Sequence, residues 1–82
     1  MELKDTIELM QSNDYIDRFK AEYYQLKIRI QKLRDTLEKY KEGTLTFTPR
    51  CSYALLEAQL KAMEEYIFYL EQRAKKEEIE LI

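Results

Sequence analysis

Between Arg18 and Tyr40 two stripes run side by side along the chain. Apolar residues recur at alternating steps of four and three (Phe19, Tyr23, Leu26, Ile30, Leu33, Leu37, Tyr40). One residue ahead of each stands a polar one: Arg18, Glu22, Gln25, Arg29, Lys32, Thr36 and Lys39. That spacing keeps each set on one face of a helix. The apolar set repeats every 3.5 residues or so over about three heptads, so it is built to meet another helix rather than a sheet. The polar set flanks that seam, placing arginines and lysines where they can close on something small and anionic.

The same pattern sets the other elements. Leu3, Ile7 and Met10 are at helical spacing and end at Gln11-Ser12-Asn13-Asp14, a run rich in capping residues, which predicts a short first helix over residues 2–11 and a turn. Ser12, Asn13 or Asp14 caps the second helix, predicted over residues 14–41, with Asp14 and Asp17 at the positive end of its dipole. Gly43, the only glycine, closes it after Lys39 and Lys41. Residues 42–48 form a loop. Thr44 to Thr48 alternates in a strand-like way but has no partner strand, and Leu45 and Phe47 are expected to tuck under the helices. The third helix is predicted over residues 49–77, started by Thr48-Pro49, with Cys51 or Ser52 as alternative caps. The tail after Arg73 is expected to fray.

The fold class expected is therefore all-α: a short N-terminal helix, then a long antiparallel helical hairpin, forming one domain over residues 1–82. The third helix is apolar over more than half its circumference. Leu55, Leu56, Leu60, Met63, Tyr66, Ile67 and Leu70 form one face, Ala58, Ala62 and Tyr69 widen it, and Phe68 lies outside it. Tyr24 and Ile28 add a second apolar edge to helix two. Two helices cannot cover so much surface, and a homo-oligomeric helical bundle that buries it between copies is the expected assembly.

Size and composition point the same way. Eighty-two residues are few for a single core to stabilise alone. Cys51 is the only cysteine and there is no histidine, so neither an internal disulfide nor a structural metal site is expected, and no cofactor. Self-association is the remaining support. With 45% apolar and 37% charged residues the chain is not disordered. A net charge of −2 with signs interleaved argues against a general DNA or RNA binder, which needs a broad basic surface. No run approaches the roughly 18 apolar residues of a membrane span, and the acidic start at Glu2 and Asp5 is unlike a signal peptide. A membrane partner is therefore not expected, and a reducing cytoplasm is.

The residues carry no enzymatic constellation: no histidine base, no cysteine paired with a base, no glycine-rich phosphate loop. A non-catalytic role is expected. Tyrosine is abundant instead, with seven copies and no tryptophan. Tyrosine rings stack on nucleobases while Arg and Lys pair with phosphates. Tyr23, Tyr40 and Tyr66 also read as seam residues. Tyr15 differs, because it stands in the first turn of helix two beside Arg18, where free N–H groups attract anions. Arg18, Arg29 and Lys32 lie one step off the seam and serve either as rim ion pairs or as anion contacts. Arg73 continues the stripe Leu56, Gln59, Met63, Tyr66, Leu70, and a charge there needs a glutamate or a shared anion.

The pattern Asp14-Tyr15-x-x-Arg18-Phe19-x-x-Glu22-Tyr23-x-Gln25-Leu26-x-x-Arg29-x-x-Lys32-Leu33, then Thr48-Pro49, then Leu55-Leu56-x-x-Gln59-x-x-x-Met63-x-x-Tyr66-x-x-x-Leu70-x-x-Arg73, resembles the small crAss-phage-related proteins of phages and prophages. That group is similar to the second type of phage anti-CBASS sponge, helical hexamers that sequester cyclic dinucleotides and cyclic trinucleotides without cleaving them. The resemblance implies an anti-defence protein in the cytoplasm of the bacterial host. It also implies a cyclic dinucleotide between the start of one helix two and a neighbouring subunit. There Tyr15 would stack on a base and Arg18, Arg29 or Lys32 would meet phosphates. Arg73 matches a separate cyclic trinucleotide site near a three-fold axis. The loop Thr44 to Thr48 departs from the Leu-Pro linker usual in that group.

Two function classes follow. A nucleotide sponge predicts subunit-interface pockets lined by tyrosine and Arg or Lys. A protein-interaction module or inhibitor of a host protein predicts an apolar patch left exposed, with Phe68 part of it.

Overall fold

The computed structural model describes residues 1–81, and over them the protein is all-helical with three helices. A 3-10 turn, Leu3–Thr6, leads directly into α1, Ile7–Met10; α2 spans Tyr15–Glu42 and α3 spans Tyr53–Lys76. The start of α2 meets the end of α3, where the Tyr15 hydroxyl donates to Glu77, and the end of α2 meets the start of α3, where the rings of Tyr40 and Tyr53 stand edge to face. The two long helices therefore run in opposite directions, while α1 and the 3-10 turn pack on α2.

Local chemistry sets each boundary. Asp14 has extended backbone and its carboxylate accepts from Ile16 N at 3.0 Å, so it is the cap of α2 among the three residues the sequence offered. Gly43, at φ 74°, ends the helix: Thr44 N–H reaches back to Lys39 O at 2.9 Å and Gly43 N–H to Tyr40 O at 3.2 Å. That paired closure satisfies carbonyls which the helix leaves free. The third helix starts later than Thr48-Pro49 suggested. Ser52 is extended at ψ 156°, and its hydroxyl accepts from Leu55 N at 3.1 Å, so the hydroxyl cap four residues on from Thr48 sets the start. The first element is also less regular than one continuous helix, because residues 3–6 wind as the tighter 3-10 form. Its polar side chain Thr6 is fully buried and fully paired, donating to Leu3 O at 2.7 Å and accepting from Gln25 Nε2 at 2.9 Å.

The apolar seam of α2 is the core. Phe19, Tyr23, Leu26, Ile30 and Leu37 are buried, and Leu33 and Tyr40 half-buried. From α3 only Leu70 and Ala74 are fully covered, with Leu60, Met63 and Ile67 packed partly against them. Much of the face predicted for α3 stays open: Leu55, Tyr66 and Tyr69 are exposed, as is Phe68 outside that face, while Leu56 is half-buried. A helix facing a single partner buries one stripe, so the surplus is geometric.

Two expectations for the connecting segments are corrected. Phe47 does not tuck under the helices; Leu45 is half-buried, but Phe47 is 59% exposed. Residues 77–81, beyond α3, dock instead of fraying, and Ile82 lies outside the described residues. Glu78 turns through the left-handed region at φ 57°, and Ile79 N–H bonds to Ala74 O at 2.8 Å. Ile79 itself is buried against the core and Leu81 packs beside it. Apolar residues after a helix end close this kind of cap by covering the last turn. No helix among the described residues is long and apolar enough to cross a membrane.

Candidate functional site

The polar stripe of α2 divides into a structural half and an open half. In its first half each side chain is engaged within the protomer. Arg18 Nη1 donates to Ser12 O at 2.8 Å, holding the turn before α2; Glu22 accepts from the Tyr66 hydroxyl; Gln25 binds Thr6. In the second half Arg29, Lys32 and Thr36 line a groove of about 330 Å³ between the N-terminal segment and α3, whose other walls include Leu3, Gln59 and Met63. Neither Arg29 nor Lys32 makes an ion pair with a carboxylate among the described residues. Two cations beside an apolar wall, three residues apart on one helix, form a place for an anion with an apolar body.

The groove continues past Lys32. Lys32 and Thr36 also belong to an adjoining cleft of about 340 Å³ that extends to Lys39, Thr44 and Phe47. The hydroxyl of Thr36 bonds to Lys32 O at 3.0 Å, and Thr44 Oγ1 approaches Lys39 O at 3.5 Å. Asp35, on the cleft wall, accepts from Gln31 Nε2 at 3.1 Å.

At the opposite end of the molecule Tyr15 and Arg73 meet. Arg73 Nη2 donates to the Tyr15 hydroxyl at 2.9 Å, that hydroxyl donates to Glu77 Oε1 at 2.7 Å, and Arg73 Nε stands 3.5 Å from Glu77 Oε2. The guanidinium also lies over the Phe19 ring, 5.0 Å from its centroid. Hydrogen bonding to Tyr15 is the largest cause of a raised Arg73 pKa; burial opposes it, and Tyr15, Glu77 and Glu22 add to it. Within the protomer Arg73 thus takes the glutamate, one of the two partners the sequence offered, together with a phenol and a ring that it did not reveal.

Of the five residues singled out, the fold brings Arg29 together with Lys32 and Tyr15 together with Arg73. Arg18 stays with its turn. Tyr15 and Lys32 are seventeen residues apart on α2, about 25 Å at 1.5 Å per residue. A small ligand touching both takes one from each of two copies. Reading the sequence missed Lys39 and Phe47 as groove residues. Lys39 was visible as the last member of the polar stripe, but Phe47 carried no periodic signal.

A third concavity lies beside the α2 seam. Its volume is about 500 Å³, and its walls include Tyr23, Tyr24, Ile28, Arg34 and Glu71. The Tyr23 hydroxyl is 3.5 Å from Glu71 Oε2, and burial, followed by the charge of Glu71, pushes the Tyr23 pKa up. Arg34 is already paired with Glu64 at 2.9 Å.

These features define a small all-helical protein whose long central helix carries a cationic, hydroxyl-lined groove along one edge. Residues 13–76 match the family model described as Sequestin, and the chain belongs to that family. The matched span covers α2, α3 and the loop between them, so it contains both Arg29 with Lys32 and Tyr15 with Arg73. Neither the curated proteins nor the solved structures yield a match.

Proposed function

We propose that this protein binds and sequesters a cyclic oligonucleotide signal, a cyclic dinucleotide foremost and a cyclic trinucleotide second, without cleaving it. The observation that carries the reading is the pair Arg29 and Lys32, cations with no carboxylate partner among the described residues in a groove with an apolar wall. Membership of a family called Sequestin is in keeping with holding a partner rather than transforming it. The resemblance to phage anti-CBASS sponges suggests the ligand class and an action against a bacterial host's defence.

The assembly proposed is a homo-oligomer of helical hairpins, a hexamer by the same resemblance. Its support is the open apolar face of α3, where Leu55, Phe68 and Tyr69 are each more than half exposed. Further support is the distance of about 25 Å that separates Tyr15 from Lys32 on one helix. Copies that cover the apolar faces can bring the Tyr15 end of one protomer to the Lys32 groove of another.

Calorimetric and thermal-shift titration with a panel of cyclic di- and trinucleotides tests the reading. Binding stabilises the folded state by RT ln(1 + L/Kd), where L is the free ligand concentration, so the melting temperature rises with the logarithm of ligand concentration once the site is saturated. The expected result is a response lost in Lys32→Ala or Arg29→Ala and kept in Lys76→Ala, a substitution at the exposed far end of α3. Silence from every nucleotide in the panel refutes it. The second reading, a module that docks on a host protein, is favoured by one observation, the exposed edge-to-face pair Phe68 and Tyr69. It predicts that this pair stays accessible in the assembled oligomer.

A further inference from the structure

We propose that the loop following α2 is the base-binding wall of the cationic groove, with Phe47 stacking on a nucleobase of the ligand whose phosphate Lys32 and Lys39 hold. The proposal rests on the nucleotide reading above and extends the site from the middle of α2 to its C-terminal end.

Phe47 is 59% exposed, although it is one of only three phenylalanines in the chain. An isolated exposed apolar side chain is ordinary. This one lines a concave cleft in company with two lysines and two threonines, Lys32, Lys39, Thr36 and Thr44. The base of its loop is fixed, because Gly43 takes the left-handed turn and Thr44 N–H bonds to Lys39 O at 2.9 Å. The ring is therefore presented from a closed helix end.

The chemistry of the cleft is divided as a nucleotide is divided. Ammonium groups meet phosphate oxygens as mobile point charges, the Thr36 and Thr44 hydroxyls, whose protons go to Lys32 O and Lys39 O, keep lone pairs for a ribose hydroxyl, and an aromatic face accepts any base through its π-surface. Asp35, the carboxylate on the cleft wall, keeps its charge but is hydrogen-bonded by Gln31 at 3.1 Å, and the two lysines of the cleft outnumber it. Stacking grows with the area of the base, so purine ligands are preferred over pyrimidine ones. Because Lys32 and Thr36 belong to both cavities, a ligand with two phosphates can lie along Arg29, Lys32 and Lys39 in sequence.

The chain has no tryptophan, so Phe47→Trp introduces a single indole as reporter. Cyclic di-AMP is expected to quench its fluorescence, and inorganic pyrophosphate, which has no base, is not. Phe47→Ala is expected to weaken cyclic di-AMP binding about tenfold and to leave helix content and the melting temperature of the free protein unchanged. A wild-type protein that binds cyclic di-AMP through Lys32, beside a Phe47→Ala variant of equal affinity and an unquenched Phe47→Trp, overturns this proposal alone. A wild-type protein that binds no nucleotide overturns both this proposal and the reading beneath it.

Discussion

Tyr15 and Arg73, 58 positions apart in the chain, meet through one phenolic oxygen: it accepts from Arg73 Nη2 at 2.9 Å and donates to Glu77 at 2.7 Å. The first residue of α2 is thereby tied to the last turn of α3, over the ring of Phe19. The sequence suggested two separate ligand contacts at these positions. In the protomer they are one cluster, and any ligand that takes Tyr15 or Arg73 must compete with the other.

Tyr15→Phe keeps the ring and removes both hydrogen bonds. It is expected to lower stability by about 1 kcal/mol, the usual size for exposed polar contacts. Adding Arg73→Gln should cost less than the sum of the two single changes. Urea midpoints of the four proteins in the cycle measure that coupling, and strict additivity shows the cluster to be energetically idle.

The two helix ends that turn through positive φ make opposite predictions. Gly43→Ala forces a side chain into the left-handed region, where nothing crowds its Cβ but the backbone itself resists, at a cost of about 1 kcal/mol. Glu78→Gly relieves that resistance at φ 57° and is expected to stabilise by up to about 1 kcal/mol. Thermal melts followed by circular dichroism should move in opposite directions, and a shift of the same sign in both contradicts the cap assignment.

Core and open face respond differently. Leu70 is 1% exposed, so Leu70→Ala is expected to cost about 2–5 kcal/mol. Phe68→Ser with Tyr69→Ser removes side chains that are mostly outside the protomer core, so protomer packing should survive. Under the oligomer reading this double variant sediments at lower mass than the wild type at micromolar concentration. A wild-type protein that already runs as a 10.0 kDa monomer counts against the assembly.

Tyr23 gives a pH dependence with a definite sign. Its pKa in the folded state lies above the ordinary 10.0, because burial and the Glu71 charge disfavour the phenolate. The unfolded chain therefore loses this proton first as pH rises. The stabilisation is complete below pH 10 and is lost as pH rises through the folded-state value. Urea midpoints measured upward from pH 9 should fall above 10, and Tyr23→Phe should flatten that part of the decline.

Much of the architecture was written in the chain. The heptad stripe of α2, the stop at Gly43 and the capping cluster Ser12-Asn13-Asp14 depend on interactions within a few residues, and local pattern reports such interactions faithfully. The start of α3 was missed by several residues because Thr48 and Ser52 both offer hydroxyl caps, and only the surrounding backbone decides which is used. The tail misled for a related reason: its charged residues looked solvated, but Ile79 and Leu81 find the core only after α3 has been laid on α2.

The candidate site divides along the same line. Arg29 and Lys32 were legible as neighbours, since a helix fixes the relation between positions three apart. That Arg18 would spend its guanidinium on Ser12, that Arg73 would close on Tyr15 and Glu77, and that Phe47 would stand beside Lys32 were decided by the tertiary structure. Sequence alone determined which faces are greasy and which are charged, because helical periodicity converts order along the chain directly into direction. Only the folded chain decided which of those charges are already paired and which remain open, because that depends on residues distant in sequence arriving within a few ångströms of one another.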